Sequence, residues 1–407
     1  MTTFDAGEIT LEKVREFVWE IPQTGAMRVP GRVLASESLL EEIAEDNSLT
    51  QLRNTTHLPG IQKYALAMPD AHQGYGFPVG GVAGIDAENG CISPGAVGYD
   101  INCGVRMLRT NLTYADVQGR EAELVEALFD AIPSGLGGGG IHDGSREDVE
   151  AILSRGMDWA LEAGYAIPDD LEHCEDEGFR PEGDPAAVSK KAIDRGTNQI
   201  GSLGSGNHFL EVQRVTDVYR EDVATEFGLE PEQIVVLIHC GSRGLGHQVC
   251  TDYLRKIEQA HAGLLEQLPD RELAAAPAGS QLADQYYTAM CAAINYAWVN
   301  RQLIMHRTRE VFADVFDRDW RDMGMSLLYD VAHNIAKREH HEVDGEHREL
   351  FVHRKGATRA FPAGHPEVPP AYRDVGQPII IPGSMGAGSY VLRGGAQSLA
   401  ETFGSTA

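Results

Sequence analysis

The sequence predicts one large α+β domain. Three observations carry that expectation. Short apolar runs closed by glycine loops recur along the chain and read as strands. Stretches with helical apolar periodicity lie between them, not in a block of their own. No linker and no internal repeat divides the 407 residues, so residues 1–407 are expected to share a core.

The elements follow in order. Residues 1 to about 60 alternate helical and loop signals and carry no nameable chemistry. Residues 69–110 hold PDAHQGYGFPVGGVAGID and CISPGAVGYDINCGVRMLRT, which read as strands joined by tight glycine loops. Residues 115–131 have helical periodicity, and SGLGGGG at 134–140 reads as a flexible loop. Residues 168–184 are acidic and turn-rich, and a charge run is usually a solvated face, so a surface insertion is expected there. RGTNQIGSLGSGNHFLEVQ, from residue 195, is a glycine loop running into a strand. IVVLIH at 234–239 is continuous and apolar, as a strand buried on both faces would be. A helix follows GSRGLG, a long helical region covers 280–316, and PIIIPGSMG at 378–386 and SYVLRG give two more short strands.

Composition narrows the class. No apolar run approaches the roughly eighteen residues of a membrane span, and the N-terminus shows neither the basic nor the apolar part of a secretory signal. Six cysteines are too few for a disulfide scaffold, so a reduced cytoplasm is the expected location. Acidic residues number 61 against 34 basic ones, a formal charge of -27, and only seven of those basic residues are lysine. An acidic, lysine-poor surface suits a salt-rich, halophilic cytoplasm, where counterions screen self-repulsion; an ordinary acidic protein is the alternative. Either way, a nucleic-acid partner would need a local basic groove.

Four places set metal-type ligands at the ends of apolar segments. They are Asp100 and Cys103 in a glycine-flanked turn, Asn207-His208 before a strand, His239 closing a strand, and His333-Asn334 after an apolar segment. One carboxylate, one thiol and three imidazoles are too many for one tetrahedral ion with an open position, whereas a thiolate bridging two ions would use them all. Each residue also has a plainer reading, as hydrogen-bonded core histidine or small hydrophobic cysteine. Cys91, Cys174, Cys240, Cys250 and Cys291 are assigned to that plainer reading, and His72 is open to either that reading or a supporting position behind the ligands. The loops SGSGNH, CGSRGLGH and PGSMGAGS are glycine turns of the kind that aim backbone N–H groups at anions, with Arg243 placed to clamp a phosphate. HRKGATR gathers His353, Arg354, Lys355 and Arg359, either as surface ion pairs or as a phosphate-binding wall. These residues suggest a metal-dependent enzyme acting on phosphates, with hydrolysis and ligation both open.

Seven motifs make the pattern more specific: PDAHQGYGFPVGG, GYDINCGVRM, GSLGSGNHFLEV, HCGSRGLGHQV, VAHN, HRKGATRA and PGSMGAGSYVLRG. They stand in the order of the RtcB-type RNA-splicing ligases, and the chain resembles that family from about residue 65 to its last residue. The resemblance implies an RtcB-like α+β domain that joins RNA 3'-phosphate or 2',3'-cyclic phosphate ends to 5'-hydroxyl ends, as in tRNA splicing and RNA repair, using GTP and two Mn2+ ions. It implies that Asp100, Cys103 and His208 hold one ion and that Cys103, His239 and His333 hold the other. It further implies nucleotide contacts from Asn207, His208, Phe209, Leu210, Glu211, His333, Asn334, Pro382, Gly383, Ser384, Met385 and Ser389, and RNA phosphate contacts from Arg195, Arg243 and Lys355.

The sequence departs from the family in one respect. In the family, an ETFGST-type stretch leads into a histidine-glycine-alanine-glycine-arginine motif whose histidine accepts GMP, and these residues end ETFGSTA at Ala407. The expectation is a C-terminally incomplete catalytic domain, inactive alone, as a split, intein-interrupted or truncated product. Expected partners are RNA (tRNA exon halves), an archease-type activator and a separate C-terminal polypeptide, with no membrane. The alternatives are a dinuclear metallo-phosphoesterase and a nucleotide- or RNA-binding remnant.

Overall fold

A computed structural model describes residues 2–135 and 139–407; residues 136–138, within the expected glycine loop, lie outside the described residues. Two sheets share a helical core in a single mixed α+β domain. The larger sheet has eight strands in the order Thr3–Ala6, Ile9–Arg15, Val18–Ile21, Gly31–Leu34, Ala65–His72, Val79–Asp86, Glu346–Lys355 and Asn334–Val343. The smaller has four antiparallel strands in the order Ser326–Ala332, Gly104–Thr113, Gln233–Cys240 and Phe209–Arg214.

The smaller sheet carries the chemistry, and its sequence explains why it is buried. In Gln233–Cys240 every residue is buried. Val236 and Ile238 pack on one face with Leu108, Ile304 and Phe312; Val235 and Leu237 pack on the other with Met107, Tyr329 and Tyr372. Alternate side chains therefore both find apolar cover, and the run needs no polar face. The register pairs Gly104 with Cys240 on one side and with Ala332 on the other. Three strand ends thus meet at one edge of the sheet.

Helix Gln281–Phe316 runs beneath that edge. Ser280 starts it by accepting a hydrogen bond from the Ala283 amide, and Asp317 ends it in a left-handed conformation. It is apolar around its whole girth (Tyr286, Met290, Ile294, Trp298, Leu303), the pattern of a helix enclosed on all sides. Into that enclosure it also carries Asn295, Asn300, Arg301, Gln302 and Arg309, all buried.

Three expectations are corrected by this architecture. Residues 1–60 begin with four short strands before two helices, Glu37–Ile43 and Ser48–Thr55. These strands are four to seven residues long, too short for alternation to stand out against the charged residues on their open face. The helix expected at 115–131 is two helices, Tyr114–Val117 and Glu121–Ala131, divided around Gly119, which takes φ +85°.

The third correction concerns charge. The 168–184 stretch is not simply a solvated insertion, because Asp170 and Glu175 are buried. Asp170 accepts both prongs of Arg309 at 2.7 and 2.8 Å, Glu175 takes Lys337 at 2.8 Å, and Asp176 takes Lys337 at 2.7 Å and Arg359 at 3.2 Å. The HRKGATR cations are buried too: Arg354 forks onto Glu339 at 2.6 and 2.9 Å, and Arg359 joins the Glu175–Asp176 group. No phosphate-binding wall stands there. Buried cations need buried counter-charges, so the acidic stretch and the basic stretch, remote in sequence, draw each other inside.

Candidate metal centre

The five expected ligands converge. Asp100, Cys103 and His208 form one group and Cys103, His239 and His333 another, and within each group the donor atoms lie within 4.8 Å of one another. Cys103 Sγ lies 3.3 Å from His208 Nε2 and 3.2 Å from His239 Nε2. His239 Nε2 is 3.1 Å from His333 Nε2, and His208 Nε2 is 2.8 Å from Asp100 Oδ2. The cysteine sulfur is the atom common to both groups.

Backbone geometry brings them there. Cys103 closes a turn by donating its amide to the Asp100 carbonyl at 2.9 Å, and Asn102 between them takes φ 52°. Asn tolerates that left-handed conformation better than most residues. His239 lies on the strand beside Gly104, and His333 is the single-residue joint where the chain leaves the small sheet for the edge of the large one. The joint is tied to the turn: the His333 amide donates to the Cys103 carbonyl at 2.8 Å, and the Asn102 amide donates to the Asn334 carbonyl at 2.7 Å. Gly241 makes room for the carboxylate, since a Cβ there would stand 2.5 Å from both Asp100 oxygens.

The donor chemistry fits cations. His208 holds Nδ1 against the Leu203 carbonyl at 3.1 Å, which leaves Nε2 as the nitrogen facing Asp100 and Cys103. Burial and the charges of Arg301 and His208 push the His333 ring down to about 3, so it is a neutral imidazole with a lone pair to give. Burial and the neighbouring His333 and His208 hold His239 well below the usual histidine range. Burial would lower His208 as well, but its hydrogen bonds to Asp100, Cys103 and Cys240 outweigh it and raise that ring. Burial also opposes ionisation of Asp100, yet the His208 contact leaves its carboxyl below the ordinary value. Burial and the Asp100 charge push the Cys103 thiol up to about 12. A thiolate at that position therefore requires added positive charge, which a divalent ion supplies.

The expected nucleotide residues gather only in part. Gln213 Nε2 donates to Glu211 Oε2 at 2.8 Å and to Ser389 Oγ at 3.1 Å, and Ser389 Oγ accepts from the Gly383 amide at 3.2 Å. This chain of hydrogen bonds joins the Phe209–Arg214 strand to the 382–389 loop. Phe209 packs edge-on against His239, with ring centroids 5.3 Å apart. Asn207, Ser384 and Met385 are exposed, while Leu210 and Pro382 are half-buried. Asn334 donates to the Asp100 carbonyl at 3.1 Å and accepts from the Gly356 amide at 3.0 Å, so its side chain braces the turn. A cavity of about 540 Å³ opens beside Gln213, Phe227, Ser389 and Val391, and Ser389 is the one expected nucleotide residue lining it.

The expected RNA contacts divide. Arg195 is exposed, with Nη1 donating to Gln248 at 3.2 Å. Arg243 is buried behind His208, its guanidinium 3.3 Å from Ser202 Oγ and from the Gly135 carbonyl. Lys355 donates to the carbonyls of Tyr75, Phe77 and Gly95 at 2.8, 2.9 and 3.1 Å, which occupies all three of its protons. His72 is exposed, with its ring on the Asp70 carbonyl. Cys91, Cys174, Cys240, Cys250 and Cys291 are buried free thiols.

Sequence reasoning passed over Arg301. From the helix below, it donates to the carbonyls of Asn102 and Cys240 at 2.8 and 2.7 Å and to Asn102 Oδ1 at 3.1 Å, fixing the backbone on both sides of the thiol. Asn300 beside it reaches Cys240 Sγ at 3.1 Å and the Gly241 carbonyl at 3.2 Å. A run of polar side chains inside an otherwise apolar helix was the available signal.

Fold and site together define an α+β chain organised around two groups of metal-type side chains that share one buried cysteine, each group able to hold a cation. The chain belongs to the RtcB family: the family model described as tRNA-splicing ligase RtcB matches residues 51–407. Among curated relatives, the tRNA-splicing ligase RtcB of Thermococcus kodakarensis is 56% identical over 400 residues, covering 98% of this chain and 83% of the relative. That of Aeropyrum pernix is 53% identical, covering 94% and 80%, and that of Nanoarchaeum equitans is 47% identical, covering 98% and 83%. The similarity therefore extends well upstream of residue 65.

Proposed function

We propose that this protein is an RNA ligase that joins 3'-phosphate or 2',3'-cyclic phosphate ends to 5'-hydroxyl ends in tRNA splicing and RNA repair, depending on GTP and manganese. The observation that carries the reading is the thiol of Cys103 shared between two ligand groups. Asp100, Cys103 and His208 would hold one Mn2+ and Cys103, His239 and His333 the other. Ions held by these residues would supply positive charge to neutralise phosphate oxygens and orient a triphosphate or an RNA end. Thiolate and imidazole suit zinc at least as well, so manganese rests on the family.

The chain's own residues do the rest. Arg301 and Asn102 hold the thiol turn, and the Leu203 carbonyl sets the tautomer of His208. Glu211, Gln213, Ser389 and Gly383 would bind the guanine nucleotide along the joined strand and loop, and Arg195 would meet an RNA phosphate. No helix among the described residues is long and apolar enough to cross a membrane. The proposed setting is the cytoplasm of a salt-rich cell, with tRNA exon halves as substrates.

The test is equilibrium binding to the purified chain. Manganese should bind at two equivalents, and GTP and a 3'-phosphate RNA should each bind only when it is present. Metal-independent binding of both, or release of inorganic phosphate from the RNA without GTP, would reject the ligase reading, the latter in favour of a phosphoesterase.

A further inference from the structure

Tyr99 immediately precedes the ligand Asp100 and belongs to a row of aromatic rings beside the metal centre. Its ring lies within 25° of parallel to that of His247, with centroids 6.0 Å apart. Tyr75 meets it edge-on, at 5.3 Å and 67°. His247 is exposed, and Tyr75 and Tyr99 are half-buried, so the row lies at the protein surface.

The row is rigidly backed. Lys355 donates to the Tyr75 carbonyl at 2.8 Å, and the following loop is held by Glu272, which accepts from the Gly76 amide at 2.8 Å. His247 stands on the second turn of helix Arg243–Ala260, next to Gln248, which holds the exposed Arg195. Gly244 leaves space for that arginine, since a Cβ there would lie 3.0 Å from Arg195 Nε.

This arrangement answers a problem set by the charge of the chain. A protein of formal charge -27 does not draw a polyanion by long-range attraction. Phosphate contacts also weaken steeply with salt, whereas stacking a base on an aromatic face contributes about 1–3 kcal/mol and depends little on salt or sequence. We propose that Tyr99 and His247, backed by Tyr75, form a stacking ledge for the terminal nucleobase of an RNA end held at the metal centre. The proposal rests on the RNA-ligase reading above and adds to it residues that hold the substrate by its base, not by its phosphate.

The test uses the whole chain with excess Mn2+ and short RNA oligonucleotides carrying 2-aminopurine as the end base. One arm ends in a 3'-phosphate and the other in a 5'-hydroxyl, and each has a control with an abasic terminal ribose. The base-bearing RNA should bind about tenfold tighter than its abasic control in at least one arm, with quenched fluorescence. Tyr99→Leu and His247→Ala should erase that preference, Tyr99→Phe and His247→Trp should keep it, and metal stoichiometry should stay at two in His247→Ala. Equal binding of base-bearing and abasic RNA in both arms overturns the ledge alone. So does a preference that survives both truncations. Absence of RNA binding in the unaltered protein overturns the ledge together with the ligase reading.

Discussion

Arg301 and Asp330 form a two-pronged ion pair, Nε to Oδ2 and Nη2 to Oδ1 both at 2.8 Å, in which neither side chain exposes any surface. Arg106 donates to the same Asp330 oxygen as Arg301 Nε, at 2.7 Å, so one carboxylate faces two guanidinium groups. The remaining Arg301 contacts go to Asn102, in the turn that carries Cys103, and to the Cys240 carbonyl. The pair therefore links the stability of the core to the shape of the cluster around Cys103.

Arg301→Met should cost about 3–5 kcal/mol, because it leaves a buried carboxylate short of a partner, and it should weaken cation binding as well. Lysine at this position should not rescue either property, since one ammonium cannot reproduce the planar fork. Denaturant unfolding alongside metal titration checks both. A methionine variant with parental stability and affinity would contradict the link.

Cys103→Ala should remove both cations, not one, because its sulfur alone belongs to both ligand groups. Elemental analysis of the dialysed variant should find well under one equivalent. Two retained equivalents would mean that the thiol is a bystander.

Gly241→Ala offers a gentler disturbance of the same site. Its backbone is not in the left-handed region, so the expected damage comes from the clash with both Asp100 oxygens. Displacing a ligating carboxylate should lower metal affinity about 10–100-fold while circular dichroism stays unchanged. Undiminished affinity would show that Asp100 has room to move aside.

The buried carboxylates predict an acid limb. Burial opposes ionisation of Glu339, but Arg354 and His341 outweigh it and hold its carboxyl well below the ordinary range; Asp170 is likewise lowered beside Arg309, and Asp330 beside Arg301 and Arg106. A folded-state pKa below the unfolded value of about 4 means that the unfolded chain binds more protons, so stability rises with pH through that region. The stabilisation is full above about pH 5 and is lost as pH falls. Glu339→Gln should melt lower at pH 7 and show a shallower decline on acidification. A melting temperature that does not change between pH 6 and pH 3 would remove the argument.

Much of the convergence was legible because the residues that meet sit where sequence punctuation is strongest. Asp100 and Cys103 lie in a glycine-flanked turn, His239 ends an apolar run, and His208 follows a glycine loop. The charged residues were harder to read. Lys355, Arg354 and Arg359 look like surface cations in a chain this acidic, yet each is buried against partners distant in sequence. Composition cannot show which opposite charges will meet inside, and the 168–184 stretch was misjudged for the same reason. Arg301 escaped notice because local pattern reports a helix and is silent about which distant backbone a buried mid-helix side chain meets. The N-terminal strands are short and lie toward the edge of the large sheet, where few neighbours enforce alternation.

His333 occupies a joint one residue long between two sheets, and its ring must meet nitrogen and sulfur donors delivered by two other strand ends. A slip of one position in any of those pairings would turn a donor toward the opposite face. Uptake of two ions, as proposed above, would then be a readout of correct strand alignment.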